Sequence, residues 1–273
     1  MFIGIFLFLF TMNTQSIGIF DSGIGGTSIW KEITSLLPHE NTIYLSDSKN
    51  APYGEKSTEK IIEFSIKNTE LLLEKGCKLI VVACNTATTN AIEILREKYD
   101  VPFIGIEPAI KPAALQTQTN SIGILATKGT LSSSLFSETS EKFTSDVKVI
   151  EQEGKGIVKL IESGKLVSDE MTLLLHKYLN PMLEEKIDYL VLGCTHYPYL
   201  IPQIQKIVGE NVKIIDSGLA VAKQTNAILE KYDLKNFTTD VSKHQFYINT
   251  EKEVLESILN DISLEYSVDK LAF

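Results

Sequence analysis

Short runs of Ile, Val, Leu, Phe and Tyr recur along the chain, each bounded by Gly, Asp, Asn or Pro. They predict β-strands over 17–20, 42–46, 79–83, 103–106, 121–125, 147–150, 189–193, 213–215 and 245–248. Between them, apolar residues fall at helical spacing. That spacing predicts helices over 26–37, 57–75, 87–99, 109–118, 130–143, 155–164, 169–185, 199–208, 218–231 and 251–260. The strand runs are continuously apolar rather than alternating, as expected when both faces of a strand are covered. Strand–helix alternation of this kind predicts parallel sheets packed between helices.

The pattern also repeats itself. IGIFDSG at 17–23 is echoed by IGILATKG at 122–129, TIYLSDS at 42–48 by KVIEQEG at 148–154, LIVVACNT at 79–86 by YLVLGCTH at 189–196, and VPFIGIEPA at 101–109 by NVKIIDSGLA at 211–220. Four strands in one order at one spacing predict an α/β protein of two similar doubly wound domains. Their sheets are expected to be mostly parallel, related by a pseudo-two-fold axis and facing each other across a cleft. The last 50 residues exceed two repeats and would either extend one domain or cross back to complete the first; the expected division is 16–109 plus 221–273 for the first domain and 110–220 for the second.

Residues 1–15 stand outside this scheme. The run FIGIFLFLF at 2–10 is too short for a membrane-spanning helix, which needs about 20 apolar residues. It also lacks the basic flank and small-residue cleavage site of a signal peptide. Met12 opens a plausible start, so residues 1–11 are read as a start-site artefact or an extension. The remainder has no stretch able to cross a bilayer. At 273 residues, with 44% hydrophobic and 22% charged residues, the chain can bury a sizeable core. A net charge of −9 without a basic run argues against a nucleic-acid partner. Three cysteines, Cys77, Cys84 and Cys194, with no Cys-x-x-Cys pair, fit free thiols in a reducing, cytoplasmic compartment.

In open α/β sheets ligands bind beyond the carboxyl ends of the strands, so candidate chemistry is sought there. The first strand is followed by Asp21-Ser22-Gly23-Ile24-Gly25-Gly26, which suits an anion at a helix start. It fails the dinucleotide fingerprint at Ser28 and lacks the P-loop Gly-Lys-Ser/Thr. The second strand leads into a polar loop ending Pro52-Tyr53-Gly54, in itself no more than a turn. The third ends in Cys84-Asn85-Thr86, and its counterpart in the second half in Cys194-Thr195-His196. One cysteine after an apolar strand is ordinarily inert core. Two at equivalent places in facing repeats would put thiols on opposite sides of one cleft. That is what a two-base racemisation requires: one thiolate removes the α-proton and the opposing thiol returns a proton to the other face. Asp21 and His196 are the carboxylate and imidazole best placed to assist. A zinc site at Cys84, Cys194 and His196, a Cys194–His196 hydrolase and a Cys84–Cys194 disulfide are the competing readings. Cys77, ahead of its strand, is read as structural.

FDSGIGG, PYG, ACNTAT and LGCTHYP, in this order and spacing, resemble the glutamate racemases of the cofactor-independent aspartate/glutamate racemase superfamily, and the resemblance runs from Ser16 to about Ile262. It implies two facing α/β domains, interconversion of L- and D-glutamate for peptidoglycan synthesis, and no cofactor or metal. It makes Cys84 and Cys194 the acid–base pair, with Asp21 assisting Cys84 and His196 assisting Cys194. Asp21, Ser22, Tyr53, Gly54, Asn85, Thr86, Thr195 and His196 would bind the amino acid, joined by Thr127 after the fifth strand. A homodimer is the expected assembly. Where the family often carries Cys-Pro-x-Phe-Val-Pro-Leu-Val-Glu, this chain has Gly154 to Glu162, keeping only the acidic position, Glu162, that would pair with His196. A racemase acting on aspartate or another amino acid, and a non-catalytic binding protein of the same fold, are the alternatives.

Overall fold

The structure, a computed structural model, describes residues 14–144 and 146–273. The expected start-site artefact at 1–11 lies outside them. The first apolar runs form β1 (Ile17–Asp21), β2 (Thr42–Ser46), β3 (Leu79–Val82) and β4 (Phe103–Gly105). The second set forms β5 (Ser121–Ala126), β6 (Lys148–Glu153), β7 (Tyr189–Gly193) and β8 (Lys213–Ile215). Each quartet pairs in the same spatial order, β2-β1-β3-β4 in one sheet and β6-β5-β7-β8 in the other. The repeat read in the sequence is therefore a repeat of topology. The first sheet is extended beyond β2 by β9 (His244–Ile248) and β10 (Tyr266–Lys270), which follow the second sheet in the chain. Every pairing among these strands is parallel.

Burial follows position in the sheet. The central strands β1, β3, β5 and β7 are buried throughout, which is why their sequences do not alternate. β10 was not predicted: YSVDK at the sheet edge is polar and partly exposed, so its pairing leaves no apolar run to read. The predicted 130–143 helix is broken into two, α5 (Lys128–Leu131) and α6 (Ser134–Phe143), because the Ser133 side chain caps the second by accepting from Phe136 N–H.

The other helices are α1 (Thr27–Leu36), α2 (Thr58–Glu74), α3 (Asn85–Lys98), α4 (Ile110–Gln116), α7 (Ile157–Glu162), α8 (Asp169–Glu184), α9 (Ile201–Val208), α10 (Gly218–Lys231) and α11 (Glu253–Leu259). α1 buries Ile29, Trp30 and Ile33 and packs on α10, which also touches β4. One apolar cluster runs from Ile19 and Trp30 of the first sheet's layer to Leu175 and Leu192 of the second's. The two sheets thus share a continuous apolar contact, and their carboxyl-end loops meet.

Candidate active site

Cys84 follows β3 and occupies the N-cap of α3, where its Sγ accepts from Ala87 N–H at 3.4 Å. Its thiol donates to Ser22 Oγ at 3.6 Å. Burial drives the Cys84 pKa upward and the nearby Asp21 carboxylate adds to it, which favours the thiol form. Cys194 follows β7, and its Sγ lies 3.8 Å from His196 Nδ1. His196 Nε2 is 2.6 Å from Glu162 Oε1, at the end of α7. Burial disfavours the charged ring, but the contacts to Cys194 and Glu162 outweigh it and hold the His196 pKa well above 6.5.

Both thiols line one small cavity. Ser22, Tyr53, Gly54, Asn85, Thr86, Thr127, Thr195 and His196 share its wall, so the structure brings together every residue expected to bind substrate except Asp21. Asn85 has both side-chain amide atoms buried without a protein hydrogen-bond partner. Such groups cost about 1–3 kcal/mol unless something supplies the missing bonds, and a polar ligand in the cavity would do so. Thr86 and Thr127 are joined hydroxyl to hydroxyl at 2.8 Å, and Thr130 backs both at 3.3 and 3.0 Å. Tyr53 contributes its ring only: its hydroxyl donates to Asp47 and accepts from Asn68.

Asp21 and Glu162 stand behind the wall rather than in it. Asp21 Oδ2 accepts from Gly23 N–H at 3.2 Å and Gly26 N–H at 3.0 Å, and Oδ1 accepts from Thr195 Oγ1 at 3.3 Å. Burial raises its pKa to about 6. Glu162 Oε1 accepts from Ile24 N–H at 2.7 Å and Oε2 from Ser48 Oγ at 2.7 Å. The glycine-rich turn was read as a seat for a bound anion. The anions it seats are the chain's own carboxylates, Asp21 from β1 and Glu162 from α7. A methyl group at Gly23 would collide with Glu162 and one at Gly25 with the His196 ring, so these glycines permit the two halves to interlock. In the divergent 154–162 segment, Gly156 sits at φ 89° to open α7, and Glu162 reaches His196 despite the changed residues before it.

Cys77, at the opposite end of β3, packs on Gly18, and burial pushes its pKa up to about 12. All three cysteines are free thiols. Sequence reasoning missed Ser48 and Thr130. Ser48 lay in a loop that looked like a turn, and Thr130 inside a helix expected to be continuous.

Two parallel α/β sheets, closing their carboxyl ends over a pair of thiols each with a polar partner, form a site suited to acid–base chemistry on a small polar molecule. Residues 21–225 match the Asp/Glu/hydantoin racemase family. The chain belongs to that family and is an amino-acid racemase, an isomerase. The glutamate racemase of Herpetosiphon aurantiacus is 46% identical over 225 residues, covering 82% of this chain and 89% of the relative. Among solved structures, Escherichia coli glutamate racemase, in complex with L-glutamate and the activator UDP-MurNAc-Ala, superposes with a TM-score of 0.84 at 34% identity, covering 94% of this chain and 98% of its own. Glutamate racemase from Francisella tularensis, in complex with D-glutamate, gives 0.79 at 30%, covering 94% and 98%. No described helix is long and apolar enough to cross a membrane.

Proposed function

We propose that this protein interconverts L- and D-glutamate by two-base proton transfer at the α-carbon, with Cys84 and Cys194 as the two bases. The observation that carries the reading is the pair of thiols lining one cavity, each from a different half of the molecule and each with its own polar partner. In one direction a thiolate removes the α-proton from one face and the opposing thiol delivers its proton to the other, leaving a thiol and a thiolate with roles exchanged. His196, held by Glu162, balances charge at Cys194 as its proton leaves and returns. Asn85, Thr86, Thr127 and Thr195 supply hydrogen bonds to the amino acid's carboxylates and ammonium, Ser22 serves Cys84, and Gly54 and the Tyr53 ring shape the wall. The reaction needs no added cofactor in this scheme. Relatives that carry glutamate in their solved structures support the substrate. The inferred setting is a cytoplasmic homodimer that supplies D-glutamate for peptidoglycan.

The test is purified enzyme with L-glutamate in D2O and no cofactor, with L-aspartate in parallel. Loss of the α-proton signal together with D-glutamate on a chiral column is expected. Turnover of aspartate alone would reassign the substrate, and exchange with neither would overturn the reading.

A further inference from the structure

Glu162 accepts three hydrogen bonds, and two of them come from the far side of the cleft. His196 Nε2 lies 2.6 Å from Oε1 within its own half. The other two donors, Ile24 N–H and Ser48 Oγ, are each at 2.7 Å and belong to loops after β1 and β2 of the first sheet. Ile24 offers a main-chain group, whereas Ser48 is the one side chain among these two donors. It is held firmly. Ser46 Oγ, at the end of β2, lies 3.1 Å from Ser48 Oγ. The adjacent Asp47 is fixed by its N–H to Asp21 O and by donors from Tyr53, Asn50 and Asn249. A rigid loop therefore presents a hydroxyl to the carboxylate that orients His196.

We propose that Ser48 is a positioning residue for proton transfer at Cys194, acting across the cleft through Glu162 and His196. The inference rests on the racemase reading above. A carboxylate held through Oε1 alone, by Ile24 N–H and the imidazole, can turn about that oxygen, whereas one whose second oxygen is also pinned at 2.7 Å cannot turn without losing that bond. Fixing the carboxylate fixes the ring, and the ring's Nδ1 faces Cys194 Sγ. Cys84 has no such dependence, since its partners are Ser22 and Ala87 N–H.

The two enantiomers have equal free energies in water, so kcat/KM must be the same in both directions for any variant. The individual kcat values need not be. Ser48→Ala is expected to lower kcat/KM about tenfold, the scale of one hydrogen bond to a charged group. It should lower kcat more for the enantiomer whose α-proton Cys194 removes. Ser48→Thr, which keeps the hydroxyl, should recover most of the loss. In a Glu162→Gln background Ser48→Ala should change the rate less than about twofold, because the pair acts as a unit. A general structural defect would instead scale kcat equally in both directions, leave KM unchanged and add to Glu162→Gln; that result would overturn the proposal. Wild-type turnover with glutamate checks the racemase reading separately. A substrate-free measurement also isolates Ser48: the ¹⁵N resonances of the His196 ring should move in Ser48→Ala, and an unmoved ring overturns the positioning role whatever the substrate.

Discussion

The two thiols occupy equivalent places in the two halves, each just beyond the third strand of its quartet, yet their surroundings differ. Cys84 sits at a helix N-cap with a serine hydroxyl and a main-chain N–H, close to the buried Asp21. Cys194 faces an imidazole whose other nitrogen is tied to a carboxylate. The repeated topology accounts for the shared position, and the loops around it supply the different partners. In the proposed two-base scheme each face of the α-carbon would meet a different acid–base apparatus, even though the two outcomes are mirror images.

The sharpest way to break the comparison is to remove one thiol at a time. Cys84→Ser and Cys194→Ser should each lower racemisation about a thousandfold or more. Each should retain α-proton exchange with solvent for one enantiomer only, and the enantiomer should differ between the two. Proton NMR in D2O reads both, and equal residual exchange of both enantiomers in either variant would contradict the two-base scheme.

Asp21 offers the next largest effect. Its folded pKa of about 6 lies above the ordinary 3.8, so between these values the folded state holds a proton that the unfolded chain has released. Its contribution is therefore fully present below about pH 4 and is lost as the pH rises to about 6, amounting to about 3 kcal/mol. Denaturation of the wild type compared with Asp21→Asn at pH 4, 5, 6 and 7 should show a difference that changes over this window and is flat above it. A constant difference would place the titration elsewhere. A smaller effect is expected from Gly25→Ala. The new methyl group must push the His196 ring aside, and a misplacement of about 1 Å costs about a hundredfold in rate. Because Cys84 is not touched, alkylation of Cys84 by iodoacetamide should keep its wild-type rate.

Much of this was legible in the sequence because the signals are local. Buried central strands such as β1 and β7 announce themselves as apolar runs, and the residue after such a run falls at the carboxyl end of a parallel sheet. The positions of Cys84, Cys194 and His196 follow from that rule. What was not legible depends on distant partners. Nothing around Ser48 indicates that a carboxylate 114 residues later will accept a hydrogen bond from its hydroxyl. Gly23 and Gly25 look like ligand-binding glycines until Glu162 and His196 are seen to fill the space they leave. The edge strand β10 draws its order from pairing with β9, not from an apolar pattern of its own.

The return of the chain to its first sheet has a consequence for synthesis. β5 to β8 are contiguous, so the second sheet can assemble as soon as residue 215 has emerged. The first sheet cannot finish, because the outer edge of β2 pairs residue for residue with β9, Thr42 opposite His244. Until translation has passed β9, at His244–Ile248, β2 presents an open parallel edge, which is a template for unwanted pairing with other chains. The half made first is thus the half completed last.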